Sequence, residues 1–219
     1  MKKNAKRELF VGSMLLVVFV VWTVLIQMVD VQPVGQNGTD VGVASVNMWF
    51  HSLTGVHMAI YVITDWLGLV PLLVCVVFAG IGFVQFIRKR SLLQVDYDII
   101  ILGIYYIVVI AAYFVFEIFP INYRPIIIEG MMEASYPSST TLLVLSVMPT
   151  LVFQVNRRLK KIAVKRTIGI LTCIFSVFMV MGRVVAGVHW FTDIVGAVML
   201  SVGVFYIYKA VVVLWSKKD

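Results

Sequence analysis

The sequence predicts an all-α integral membrane protein: six transmembrane helices, an interfacial helix between the first two, and both termini in the cytoplasm. Three observations predict this. Of 219 residues, 61% are hydrophobic and 13% charged, with a mean hydropathy of +1.00, a balance that soluble domains and disordered chains do not have. Six apolar runs, at 9–29, 67–87, 99–119, 138–155, 167–185 and 194–214, reach or approach the roughly 20 residues that cross a bilayer core of about 30 Å as a helix. The positive charges gather in alternate connections.

The elements follow in order. Lys2, Lys3, Lys6 and Arg7 precede the first run, which is too long and too poor in a small-residue cleavage site for a removed signal peptide, so it reads as a retained span. Residues 30–46 form an outer loop with turn signals at Pro33, Gly35 and Asn37-Gly38. Asn37-Gly38-Thr39 also fits a glycosylation acceptor. Over 47–66 a helix is predicted with Asn47, His51, Thr54 and Gly55 on one face and Trp49, Phe50, Leu53 and Ile60 elsewhere. That pattern suits a helix in the interface, either as an anchor or as one wall of a lipid access path.

Arg88, Lys89 and Arg90 follow the second span. Arg157, Arg158, Lys160, Lys161, Lys165 and Arg166 separate the fourth from the fifth, and Lys209, Lys217 and Lys218 end the chain. With six spans these all fall on one side, which the positive-inside rule makes cytoplasmic. The net charge of +7 is therefore topological, and no nucleic-acid partner is implied. Cys75 and Cys173 lie in different spans, with neither a disulfide framework nor a metal spacing. No ionisable residue sits deep in a span to mark the ion path of a transporter. The chain reads as one domain, 1–219, with its unusual residues concentrated in 117–193.

Two of the 18 Lys and Arg residues, Arg124 and Arg183, fall on the outer side, where topology does not explain them. They share their segments with other polar residues. The stretch EASYPSSTTLL (133–143) sets Pro137 and the hydroxyls of Ser138, Ser139, Thr140 and Thr141 before an apolar run. This is an N-cap and first turn, and a helix N-terminus whose free N–H groups favour an anion. In GRVVAGVHWFTD (182–193), His189 and Asp193 are four apart. If the last helix begins near Val188 they share a face, and the carboxylate fixes one ring nitrogen while the other stays free as nucleophile or base. Two guanidiniums offer the forked donors that suit phosphate oxygens. Each piece alone has a plainer reading, as a headgroup contact or a capping pair; together they read as a phosphate pocket beside a histidine.

At these residues the sequence resembles the type 2 phosphatidic-acid phosphatase superfamily, integral membrane lipid phosphate phosphatases, of the bacterial type. The family pattern is Lys-x6-Arg-Pro, then Pro-Ser-Gly-His, then Ser-Arg-x5-His-x3-Asp. The chain matches it at Arg124-Pro125, at Pro137-Ser138, and at Arg183, His189 and Asp193. The resemblance implies hydrolysis of a membrane lipid phosphate or polyprenyl diphosphate at the outer face of the cell membrane. His189 would form a phosphohistidine with Asp193 orienting its ring, and Arg124, Arg183, Ser138, Ser139 and backbone N–H groups would hold the phosphate oxygens. No metal or cofactor is implied. Undecaprenyl diphosphate, phosphatidylglycerol phosphate and phosphatidic acid all suit such a pocket.

Four positions depart from the pattern. Glu117 stands where the family has Lys, which opposes an anionic substrate unless Glu117 is protonated or paired with an Arg. Gly182 replaces a serine, and Ser139 a glycine. Thr140 stands at the position of the histidine that protonates the leaving group; a threonine hydroxyl cannot act as a general acid at neutral pH, and losing that role costs about 10²–10⁴-fold. The implied enzyme is therefore impaired, or uses a good leaving group, or draws on His51, His57 or Glu117. The alternative is a catalytically dead lipid-phosphate-binding pseudophosphatase.

Overall fold

A computed structural model describes residues 2–216; Lys217 and Lys218, read above as part of the basic tail, lie outside the described residues. Eight α-helices follow in order among the described residues: α1 (Lys2–Leu25), α2 (Ala44–Thr54), α3 (Met58–Leu67), α4 (Leu69–Lys89), α5 (Tyr97–Ile118), α6 (Ser139–Arg158), α7 (Ile162–Ala186) and α8 (Phe191–Trp215). No β-strand forms among the described residues, and six helical runs are long and apolar enough to cross a membrane: α1, Met58–Lys89, α5, α6, α7 and α8. The protein is a multi-pass, all-helical membrane protein.

The segment expected as one interfacial helix at 47–66 is instead two. Gly55 at φ +65° ends α2, and α3 begins at Met58. A positive φ takes the chain out of the right-handed helix, and glycine adopts it readily because it has no Cβ to clash with its own backbone. α3 then runs almost directly into α4 through Gly68, so the second apolar run starts at Met58 rather than at residue 67.

α6 and α8 are the most deeply packed helices. α6 is the least apolar of the six runs, because its inward face carries the buried Ser146, Thr150 and Gln154. Tyrosines partner two of these side chains, Tyr106 Oη bonding Thr150 Oγ1 (2.8 Å) and Gln154 Nε2 donating to Tyr208 Oη (2.8 Å), while Tyr105 Oη donates to the backbone carbonyl oxygen of Ser146 (2.9 Å). In a bilayer core such groups have no water to turn to, so each needs a protein partner. α1 packs along α8 where Gly12 meets Gly203; a Cβ at Gly12 would lie 2.8 Å from the Gly203 carbonyl oxygen. Small residues permit this close backbone approach.

At one end of the bundle, α4, α5 and α6 are tied by ion pairs. Arg158 reaches Asp98 (2.9 Å) and Asp96 (3.2 Å), Arg157 reaches Asp98 (3.4 Å), and Lys89 of α4 reaches Asp96 (3.6 Å). The opposite end carries the 119–138 connection. Its arms pair as a short hairpin, with Arg124 N–H on Glu133 O (3.1 Å) and Ser135 N–H on Asn122 O (2.8 Å). The turn has Glu129 at φ +51° and Gly130 at φ +76°, and two consecutive positive-φ residues are what a tight two-residue hairpin turn requires.

Candidate functional site

The hairpin, the start of α6, the α7–α8 connection and α3 converge at this end. α8 begins at Phe191, not near 188. Asp193 lies at the third helical position, and its Oδ2 accepts the N–H of Trp190 at 2.8 Å, the reach-back that fixes a helix start. His189 therefore precedes the helix, and the shared helical face expected for His189 and Asp193 does not exist. Their nearest atoms, Nδ1 and Oδ2, are 3.8 Å apart.

Ser135 lies between them. Its Oγ–H donates to Asp193 Oδ2, while its Oγ and its carbonyl oxygen each lie 3.2 Å from His189 Nδ1. A carbonyl only accepts, so Nδ1 carries the proton and Nε2 the lone pair. That lone pair faces Arg183, whose Nη2 donates to Nε2 at 3.2 Å. Burial of the ring, and then the guanidiniums of Arg183 and Arg124, hold the His189 pKa well below its ordinary 6.5; both effects disfavour an imidazolium. Asn122 completes the carboxylate's shell, its Nδ2 3.4 Å from Asp193 Oδ1.

The two arginines flank one ring. The Cζ of Arg183 lies 5.0 Å, and that of Arg124 5.8 Å, from the centroid of Tyr61 on α3, within cation–π range. Each guanidinium also has a carboxylate: Glu133 for Arg124 (2.9 Å) and Asp65 for Arg183 (3.8 Å). Even so, Nε and Nη1 of Arg124 and Nε of Arg183 are buried without a hydrogen-bond partner. Buried charged donors left unpaired are costly unless something accepts from them.

The other residues singled out by sequence fall as follows. Ser138 takes the N-cap position of α6 without a side-chain capping bond and is fully buried, its hydroxyl donating to Thr141 Oγ1 at 3.1 Å. Ser139, Glu117, Arg124, Glu133 and Tyr113 border a cavity of about 570 Å³. Arg124 has taken Glu133, not Glu117, as its ion-pair partner. Thr140 and Ser139 border a second cavity of about 350 Å³, otherwise formed mainly by α4, α5 and α6 residues such as Leu69, Leu72, Val109 and Leu143, with Asp65 at its edge. Tyr113, Ser139 and Leu142 line both. His51 and His57 are engaged elsewhere, His51 Nε2 with Gly187 O (3.1 Å) and His57 Nε2 with Thr54 O (2.9 Å).

Gly182 is explained by α3. A Cβ there would lie 2.6 Å from Thr64 Cγ2, and Thr64 Oγ1 lies 3.5 Å from Arg183 Nη1. A hydroxyl thus reaches Arg183 from another helix. Tyr61, Thr64 and Asp65 have no spacing signal linking them to Arg183, about 120 residues on; the one hint was the amphipathic pattern over 47–66. Ser135 sat inside the stretch 133–143, unremarkable beside its hydroxyl-rich neighbours.

Six membrane-length helices, with a buried histidine and two partly unpaired guanidiniums gathered at one end, define the class: a multi-pass, all-helical membrane protein. The chain belongs to the PAP2 superfamily, whose sequence profile matches residues 47–217. Its fold is similar to the crystal structure of the first transmembrane PAP2 type phosphatidylglycerolphosphate phosphatase from Bacillus subtilis, with a TM-score of 0.67 over 95% of this chain and 98% of that one, at 16% identity. A comparison with curated proteins gives no match.

Proposed function

We propose that the protein is a membrane lipid phosphate or diphosphate phosphohydrolase that works through a phosphohistidine on His189. The observation that carries this reading is the Nε2 lone pair of His189 held 3.2 Å from Arg183 Nη2, with three buried guanidinium nitrogens of Arg124 and Arg183 left without a partner. A phosphoryl group that takes the Arg183 donor onto an oxygen brings its phosphorus towards Nε2. The Nε2 lone pair then forms the P–N bond as the P–O bond to the lipid breaks. Arg124 and Arg183 offset the charge on the equatorial oxygens. Water then cleaves the P–N bond and frees phosphate. Supporting the lipid assignment, the cavity at Ser139 and Thr140 continues between apolar faces of α4 and α5. The site is assigned to the outer face, with both termini cytoplasmic, by the alternation of basic connections. Residues 1–219 act as one domain.

Thr140 gives the departing oxygen no proton, so this reading favours a leaving group of low basicity, such as the lipid monophosphate released from a diphosphate, and slow turnover of monoesters. The test is phosphate release from a panel of lipid monophosphates and diphosphates in detergent, with His189→Ala as control. Release from at least one substrate, lost in His189→Ala, is the expected result. Binding of vanadate by the wild type, lost in Arg124→Ala, with no turnover of any substrate even after Thr140→His, would instead establish the pseudophosphatase reading that Thr140 supports.

A further inference from the structure

We infer that Ser135 is the positioning residue of the site, and that Asp193 acts on His189 through it. The reading rests on the function proposed for His189, but the geometry can be tested separately. Asp193 Oδ2 is 3.8 Å from His189 Nδ1, beyond an ordinary hydrogen bond. The Ser135 hydroxyl fills the gap, donating to Oδ2 and presenting its lone pair to Nδ1 at 3.2 Å. The Ser135 carbonyl oxygen, at the same 3.2 Å, accepts from the same N–H. One residue therefore holds the Nδ1 proton with two oxygens. It leaves Nε2 as the lone-pair nitrogen toward Arg183.

Ser135 is fixed in turn. It is 1% exposed, and its N–H donates to Asn122 O at 2.8 Å. The Nδ2 of Asn122 reaches the other oxygen of Asp193 at 3.4 Å. Asp193 is anchored by the Trp190 N–H, so the carboxylate sets the hydroxyl rotor of Ser135 rather than the imidazole. If Ser135 Oγ–H turned towards Nδ1, the buried carboxylate would lose a donor, and Nδ1 would become an acceptor facing a carbonyl oxygen. Both are unfavourable. The relay thus selects one tautomer, the one with a nucleophilic Nε2. No proton needs to pass along it during the reaction.

A double-mutant cycle and imidazole ¹⁵N NMR test the inference. Ser135→Ala lowers kcat roughly 10- to 100-fold with little change in KM, less than loss of a directly bonded triad carboxylate because the Ser135 carbonyl remains. Asp193→Asn costs much less in the Ser135→Ala background than in the wild type, because the two residues act in series. The ¹⁵N spectrum of the wild type shows His189 protonated at Nδ1, and Ser135→Ala shifts it towards a tautomer mixture. Additive losses, with a ¹⁵N spectrum unchanged by Ser135→Ala, would overturn the relay. If the wild type releases no phosphate and forms no phosphohistidine even from an activated aryl phosphate, the proposed function fails. The ¹⁵N comparison then decides the relay by itself.

Discussion

The methyl group of Thr64 occupies the space into which a side chain at Gly182 would project: a Cβ built there lies 2.6 Å from Thr64 Cγ2. The absence of a serine at 182 and the presence of Thr64 are thus one arrangement. α3 packs closely on α7 and brings a hydroxyl of its own to Arg183. Gly182→Ser is expected to lower the thermal stability in detergent by about 1–3 kcal/mol, as overpacking does, rather than to raise activity. Thr64→Ala in the same chain frees the space and restores most of that loss. A stable, more active Gly182→Ser single variant would contradict this packing.

Arg124 and Arg183 share the Tyr61 ring and carry the unpaired donors. Replacing either by Ala should weaken vanadate or phosphate binding roughly 10- to 100-fold, the scale of one or two lost charge-assisted hydrogen bonds. Arg183→Lys should recover little, because an ammonium cannot reproduce the planar spread of donors. Isothermal titration of the purified protein measures both. Equal affinity in the wild type and the Arg183→Ala variant would rule out a direct role for that guanidinium.

Thr140 offers a contrast between substrates. Thr140→His should increase turnover of lipid monoesters, whose alkoxide needs a proton, by up to about 10²-fold. It should change hydrolysis of an activated aryl phosphate by less than about threefold, since that leaving group departs unprotonated. Comparing kcat on the two substrates checks the assignment. Equal gains on both would show that position 140 acts otherwise than as the leaving-group acid.

Burial and two nearby guanidiniums lower the pKa of His189 well below 6.5, so the folded protein does not bind a proton there at a pH where the unfolded chain does. Proton uptake then favours unfolding. Stability from this group is complete above about pH 6.5 and falls as the pH drops below it, by at most about 1.4 kcal/mol per pH unit. Across pH 7.5 to 5 the wild type should lose thermal stability relative to His189→Asn, the difference that isolates this group.

The residues 117–193 illustrate what local sequence can and cannot carry. Arg124, Arg183 and His189 were legible because charge near a membrane is costly and topology explained the other cations. Their grouping follows from six alternating spans. The start of α8 was misread because periodicity does not distinguish a helix beginning at 188 from one whose third residue, Asp193, folds back on Trp190 N–H. The partition of 47–66 into α2 and α3 turned on a single φ angle at Gly55. A positive φ at glycine is permitted by the sequence but not dictated by it.

The sequence by itself determined the membrane class, the six helices and which polar residues lie at one end, because hydrophobic length and charge distribution are properties of the chain alone. Only the tertiary structure decided which groups touch. Ser135 came between His189 and Asp193, Glu133 and not Glu117 paired with Arg124, and α3 brought Tyr61, Thr64 and Asp65 to Arg183. These contacts depend on a hairpin's register and on two helices docking across about 120 residues of chain. Hydrogen bonds and ion pairs form at a few ångströms, and spacing along the chain does not encode separations that small.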